Sequence, residues 1–297
     1  MSVTGHAASS LPRRVVILGM GWSGRVIARH LQSNGLQVCG TVRDPARAEA
    51  DGLQRHRLGA DHAPDPALRD ALHAAEAVLC SVPPDAEGDP ALRRVADVLR
   101  TAPALRWIGY LSSTSVYADR GGGWVDEHSV ADAQDSTGRQ RLLAEAQWQA
   151  LAASRGIASV ALRLPGLYGP GRNALRQLAD GRARHVLRPG LVFNRLHVDD
   201  LASVVLAALS HRAGHAVLLP SDDEPAPSHE VLAFAAQLGG HALPPPVAWD
   251  DPSLSATLRR FYASHKRIDS RGTRARLGWT PRFPTYREGL RDALTRP

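Results

Sequence analysis

Hydrophobic positions near the start of the chain follow two rhythms in succession. Val15–Leu18 are continuously apolar, as a strand buried on both faces of a parallel sheet should be. After the glycine turn G19-M-G21-W-S-G24 the spacing becomes helical and ends near Gly35. A second strand is predicted over Gln37–Val42, then a helix-like segment, then a strand over Ala77–Val82. Apolar runs recur at Arg106–Leu111 and Ile157–Leu164, with helical patterns at Ala91–Arg100 and Thr137–Ser154. Strands alternating with helices predict an α/β fold, a Rossmann-type doubly wound parallel sheet. Beyond Leu164 the pattern breaks into Gly/Pro-rich loops and returns as a helix over Val198–Leu209 and a strand over Ala216–Leu219. From Ser221 onward, including the proline run at 244–246, the chain reads as a small C-terminal lobe.

Composition narrows the picture. The 297 residues are 43% hydrophobic and 22% charged, ordinary for a globular protein. No stretch approaches the roughly 18 apolar residues that span a bilayer, and the start, MSVTGHAASSLPRR, lacks the apolar core of a signal peptide. A flexible tail over 1–12, a cytoplasmic location and no membrane partner are therefore expected. Cys39 and Cys80 lie in apolar runs and read as buried free thiols, and the dispersed histidines lack metal-ligand spacing. The net charge is +7, with 35 arginines against one lysine among the 36 basic residues. These arginines are scattered among acids, which argues against a nucleic-acid groove, while the positive balance favours an anionic cofactor or substrate.

The glycine turn carries the first chemistry. G-x-G-x-x-G is weak alone, but here it follows a strand and opens a helix. Gly19 permits the tight turn, Gly21 lets the backbone approach a pyrophosphate, and Gly24 lets helix and strand pack closely. The helix N-terminus, at Trp22 and Ser23, then offers N–H groups and a favourable dipole to phosphate. At the end of the second strand, T41-V42-R43-D44 places an arginine where an acidic residue would hold the ribose 2′-hydroxyl of NAD. A guanidinium there suits the 2′-phosphate of NADP. NADP is the expected cofactor, with NAD possible because Asp44 follows.

Several stretches together resemble the extended and atypical short-chain dehydrogenase/reductases, in the epimerase-like branch. They are GMGWSG, YLSSTSVYADRGGGWVDE at 110–127, LRLPGLYGPGRN at 162–173, NRLHVDDLA at 194–202 and LGWTPRFPTYREGL at 277–290. The resemblance implies an NAD(P)-binding domain over 13–164, continued by 195–220, and a substrate-binding lobe over 165–194 and 221–297. It puts the carbonyl-polarising hydroxyl on Ser113. Counting back from Glu145, Arg141 takes the position of the family's lysine and Thr137 that of its tyrosine. Gly19, Gly21, Trp22, Ser23, Gly24, Arg43, Asp61, Val82 and Arg141 are the expected cofactor contacts, and Tyr168, Asn173, Arg195 and His197 the expected substrate contacts. With Ser113, Thr137 and Arg141, Tyr117 completes the catalytic candidates, as a substitute proton donor.

Tyr262 and Lys266 also spell Y-x-x-x-K, and Lys266 is the one lysine of the chain. They lie more than a hundred residues beyond the helix that should carry the pair, so the match reads as chance. A threonine hydroxyl is a poor acid or base, and an arginine is always protonated. The usual proton relay is therefore missing. The resulting expectation is an NADP-dependent oxidoreductase, monomer or homodimer, moving hydride between nicotinamide and a small polar carbonyl or alcohol, the substrate anionic or hydroxylated. The alternatives are a cofactor-sensing protein without turnover and an epimerase or dehydratase.

Overall fold

The computed structural model describes residues 11–47, 51–59, 63–211 and 214–296. Asp61 and the tail before Leu11 lie outside the described residues. The chain runs β1 (Arg14–Leu18), α1 (Trp22–Ser33), β2 (Gln37–Val42), β3 (Gln54–Arg57), α2 (Pro66–Ala74), β4 (Ala77–Cys80), α3 (Pro90–Thr101) and β5 (Trp107–Ser113). It continues through β6 (Trp124–Val125), α4 (Ser136–Ser154), β7 (Ala158–Leu164), β8 (Gly166–Tyr168), α5 (Ala174–Ala179), β9 (His185–Leu187) and β10 (Arg195–His197). The last elements are α6 (Val198–Ala208), β11 (His215–Leu218), α7 (Ser228–Gly239), β12 (Pro246–Ala248), α8 (Ala256–Phe261), β13 (Arg267–Ile268), α9 (Arg271–Leu277) and α10 (Tyr286–Thr295).

Seven strands form the main sheet in the order β11-β7-β5-β4-β1-β2-β3. β1 pairs with β2 and β4, β2 with β3, and β4 with β5, all parallel. The α/β Rossmann-type reading of the sequence holds. Helices cover both faces of the sheet, so all four residues of β4, an apolar strand, and all seven of β7, Ser159 and Arg163 among them, are buried. Two of the covering helices start at an Asp-Pro step. Asp65 accepts from Leu68 N, Asp89 accepts from Ala91 N and Leu92 N, and the following prolines supply helical φ at positions whose N–H is not needed.

By internal contacts the chain divides into two compact units. The first holds the described residues up to Tyr110 with Glu145–Ala161 and Ala202–Ala216; the second holds Leu111–Ala144, Leu162–Leu201 and the chain from Val217. This division differs from the expected boundaries chiefly over 111–144. The segment after β5 joins the second unit because β6 pairs with β13, and the N–H groups of Arg120 and Gly122 donate to His265 O. Two further short parallel ladders, β8 with β10 and β9 with β12, belong to that unit.

Two local expectations are corrected. The helix expected between β2 and β4 is α2, but a 3₁₀ turn and strand β3 precede it, and the sequence QRHR of β3 carries no apolar run because an edge strand exposes much of its surface. Cys39 is only half-buried, whereas Cys80 is buried and its thiol donates to Asp89 Oδ2 at 3.0 Å. Among the described residues no helix is long and apolar enough to cross a membrane.

Candidate functional site

The glycine turn of the first unit is fixed by its neighbours. Gly19 sits at φ +88°, and a Cβ there would lie 2.9 Å from Val82 Cγ2. Its N–H donates to Thr41 Oγ1 at 3.0 Å, Met20 N donates to Thr41 O at 2.6 Å, and the Ser81 hydroxyl donates to Gly19 O. A Cβ on Gly24 would stand 2.8 Å from Gly19 O, so only glycine lets α1 pack this closely. At Gly21 the reverse holds. Nothing lies within 4 Å of the Cβ position, and no side chain caps α1. That open approach to an uncapped helix N-terminus fits a dinucleotide pyrophosphate. Beyond Thr41, Arg43 is exposed, and the Asp44 carboxylate accepts from Ala46 N at 3.1 Å. Sequence reasoning missed Thr41 and Ser81, although a threonine stood only two residues before Arg43; its burial shows only in the structure.

In the second unit Ser113 ends β5, half-buried, and its Oγ accepts from Ser115 N at 3.1 Å. The first turn of α4 lies directly against this segment, since a Cβ on Gly138 would stand 2.3 Å from Ser115 O. Arg141, one turn further, donates from Nη1 to Leu111 O at 2.9 Å, which holds its guanidinium at the C-terminal end of β5. Thr137 is exposed, and its hydroxyl makes no hydrogen bond among the described residues.

The remaining candidates are placed as anchors. Tyr117 is 1% exposed; its hydroxyl donates to Asp126 O and accepts from Arg163 Nη1 at 3.0 Å, so it has no free face for proton transfer. Tyr168 is buried with Leu175, Val231 and Tyr286, and burial raises its phenol pKa still further, the reverse of what a general acid needs. Asn173 caps α5 by accepting from Arg176 N at 2.9 Å, and its amide donates to Gly169 O at 2.8 Å. Arg195 donates from Nη1 to Phe193 O and Ala226 O, both at 2.9 Å, and makes no surface ion pair among the described residues. His197 has no exposed surface through which to meet a ligand. It packs edge-on to Tyr168 and beside Phe283, and burial pushes its pKa down to about 4, so it is neutral at pH 7.

Tyr262 and Lys266 part company. Tyr262 lies beyond the end of α8, buried with Val186, Leu191 and Leu254, and shares a hydrogen bond with Ser228 Oγ. Lys266 Nζ donates to Tyr117 O at 2.8 Å and Ser264 Oγ at 2.7 Å. The one lysine therefore pins the backbone that follows Ser113, a positioning role that its isolation among arginines did not reveal.

Comparison with known proteins now adds to this geometry. The family model described as the NAD dependent epimerase/dehydratase family matches residues 15–219. The chain belongs to that family. Among curated relatives, 3-diazoavenalumate denitrifying reductase from a Streptomyces species is 31% identical over 308 residues, covering 93% of this chain and 99% of that one. A conserved protein of unknown function from Silicibacter pomeroyi DSS shares 36% identity at a TM-score of 0.86, over 95% of this chain and 98% of that one. MoeE5, solved in complex with UDP-glucose and NAD, shares the fold at a TM-score of 0.76 and 23% identity, over 95% and 97% of the two chains. Within the epimerase/dehydratase family a nicotinamide cofactor is the rule, and the glycine turn of this member fits one.

Proposed function

We propose that this member of the epimerase/dehydratase family is an NADP-dependent reductase acting on a small polar substrate. One observation carries the choice of reductase. All five tyrosines are buried, Tyr110, Tyr117 and Tyr286 at 1% exposure, Tyr262 at 6% and Tyr168 at 8%. An epimerase that oxidises an alcohol first needs a base for the hydroxyl proton. Here the tyrosine position is Thr137, whose hydroxyl is far too weak an acid for that work. A one-way hydride transfer asks less of the protein, and least of all when the acceptor is electron-poor or cationic. The relative's name, which describes nitrogen loss from a diazo compound, suits that chemistry. An arenediazonium that accepts hydride and releases dinitrogen becomes the neutral arene with no proton taken from the enzyme.

Bound at the glycine turn, a reduced nicotinamide cofactor supplies the hydride. The assigned roles of the chain's own residues are then these. Gly21 and the N-terminus of α1 hold the pyrophosphate. Arg43 receives the 2′-phosphate, an assignment supported by the engagement of Asp44 with Ala46 N. Arg141 holds the nicotinamide ribose, and Ser113 Oγ orients the reacting atom of the substrate. Lys266 keeps the backbone after Ser113 in place.

The test is absorbance at 340 nm with NADPH and a panel of aldehydes, ketones, arenediazonium salts and sugar nucleotides. Net NADPH consumption is expected, faster with acceptors that need no proton. Interconversion of a sugar nucleotide without net consumption would establish an epimerase instead. Tight cofactor binding with no turnover across the panel would point to a sensor.

A further inference from the structure

We infer that Arg57, at the end of edge strand β3, is a second guanidinium of the 2′-phosphate site. The inference rests on the NADP reading given above and adds to it a specificity residue from a different strand. The β2–β3 ladder sets Val42 opposite Arg57, and Leu58 N donates to Val42 O at 2.9 Å. Arg43 is the next residue after Val42, so two arginines stand at the C-terminal ends of adjacent parallel strands. Ligands of open α/β sheets bind outside that edge.

The position of this pair relative to the cofactor loop is fixed. Thr41, the residue before Val42, accepts from Gly19 N through Oγ1 and from Met20 N through its carbonyl. Thr41 is itself paired with His56, the residue before Arg57. The register therefore runs unbroken from the glycine turn through Thr41 to both arginines, all within the first unit.

The ion pairs around the strand ends separate Arg57 from its neighbours. Asp51 takes both Arg55, at 2.7 Å, and Arg29, at 3.0 Å. Asp44 is turned onto Ala46 N. Arg43 and Arg57 are exposed and form no ion pair among the described residues. A phosphate dianion offers three oxygens, more than one planar guanidinium satisfies, and two forks approaching from neighbouring strands suit it.

The experiment uses the full chain and two probes, adenosine 2′,5′-bisphosphate and adenosine 5′-monophosphate, titrated by calorimetry. Their affinity ratio isolates the 2′-phosphate. Wild type is expected to prefer the bisphosphate by at least about 10-fold, the low end of the range for a charge-assisted hydrogen bond. Arg43→Ala and Arg57→Ala should each lower that ratio several-fold without changing the affinity for the monophosphate. Arg57→Lys should retain part of it, and added salt should shrink the ratio in wild type more than in either variant. If Arg57→Ala keeps the wild-type ratio while Arg43→Ala loses it, the NADP reading stands and the role of Arg57 is overturned. Equal weakening of both probes by Arg57→Ala overturns that role as well. Should wild type bind both probes alike, the NADP reading itself fails and takes this inference with it.

Discussion

Adding one methyl group at Gly21 or at Gly24 should do opposite things, although the two glycines are three residues apart in one motif. At Gly24 the new carbon would stand 2.8 Å from the Gly19 carbonyl oxygen. That oxygen cannot retreat easily, because Gly19 is held by Thr41 and Ser81. Overpacking of this kind costs about 1–3 kcal/mol. Alanine recovers up to about 1 kcal/mol of helix propensity in the first turn of α1. Because the clash is with a backbone atom, the overpacking cost falls in the upper part of its range, about 2–3 kcal/mol. Gly24→Ala should therefore lose about 1–2 kcal/mol net, or roughly 2–6 °C in melting temperature for a chain of this size. At Gly21 the methyl meets nothing within 4 Å, and the backbone, at φ −78°, is one that alanine adopts. Gly21→Ala should melt within about 2 °C of wild type, a shift worth less than about 1 kcal/mol. Its cost falls on the ligand, because the methyl fills the space through which the pyrophosphate reaches the N–H groups of α1. Loss of one or two charge-assisted hydrogen bonds lowers affinity about 10- to 150-fold for each. Differential scanning fluorimetry and an NADPH titration on both variants measure the two effects. Wild-type NADPH affinity in Gly21→Ala would refute the placement of the phosphates, and a melting loss equal to that of Gly24→Ala would refute the open approach.

Other expectations follow from particular contacts. Asp89 is fully buried and accepts from Ala91 N, Leu92 N, the Cys80 thiol and Trp148 Nε1 at 2.7 Å. Asp89→Ala removes a helix cap and strands an indole N–H, so chemical denaturation should show a loss of about 2–4 kcal/mol; a loss under about 1 kcal/mol would contradict the network. Both carboxylate oxygens of Asp222 are buried and find no hydrogen-bond partner among the described residues, and burial raises its pKa well above the usual carboxylate range. The folded state therefore keeps a proton that the unfolded chain releases near pH 4, so this stabilisation is complete below about pH 4 and is lost as pH rises through the folded pKa. The melting advantage of Asp222→Asn over wild type should accordingly grow from pH 4.5 to pH 8.5, and a pH-independent difference would count against the raised pKa. At the reaction site, Ser113→Ala should lower kcat about 10²- to 10³-fold with little change in NADPH affinity. Arg141→Ala should weaken NADPH, and Thr137→Ala should leave both within about 2-fold by the same titration and turnover assays, because a weakly acidic hydroxyl contributes little proton transfer.

What the sequence disclosed and what it concealed divide along physical lines. The glycine turn was legible because a buried apolar strand, a fixed glycine spacing and a helical period meet within eleven residues, Ile17 among them with no exposed surface. β5 and β7 were legible because each carries a run of mostly apolar residues, interrupted in β7 only by Ser159 and Arg163 and in β5 only by its two terminal serines. β3 was not, since its polar QRHR sequence has one strand partner and no run of core residues. Motif matching found Tyr117, Tyr168, Asn173 and His197 as residue types at expected positions, yet it carries no information about burial. Tyr117 and His197 prove to be inside, with their polar atoms directed at other protein groups or shut away from solvent. The separate fates of Tyr262 and Lys266 were equally hidden, because the end of α8 at Phe261 decides them and hydrophobic periodicity there is weak. In the sequence Asp44 blurred the preference that Arg43 gives for NADP; the turn that gives Asp44 to Ala46 N separates the two.

The central claim is that this chain takes NADPH in preference to NADH through the arginine at the end of β2. Equilibrium titration of the intact protein with each reduced cofactor, for wild type and Arg43→Ala, tests it without any need for a substrate. The account predicts that wild type binds NADPH about 10- to 150-fold more tightly than NADH, the range for a charge-assisted hydrogen bond, and that Arg43→Ala loses most of that preference while its NADH affinity stays put. Equal affinity for the two cofactors in wild type, or a preference for NADH, would contradict it.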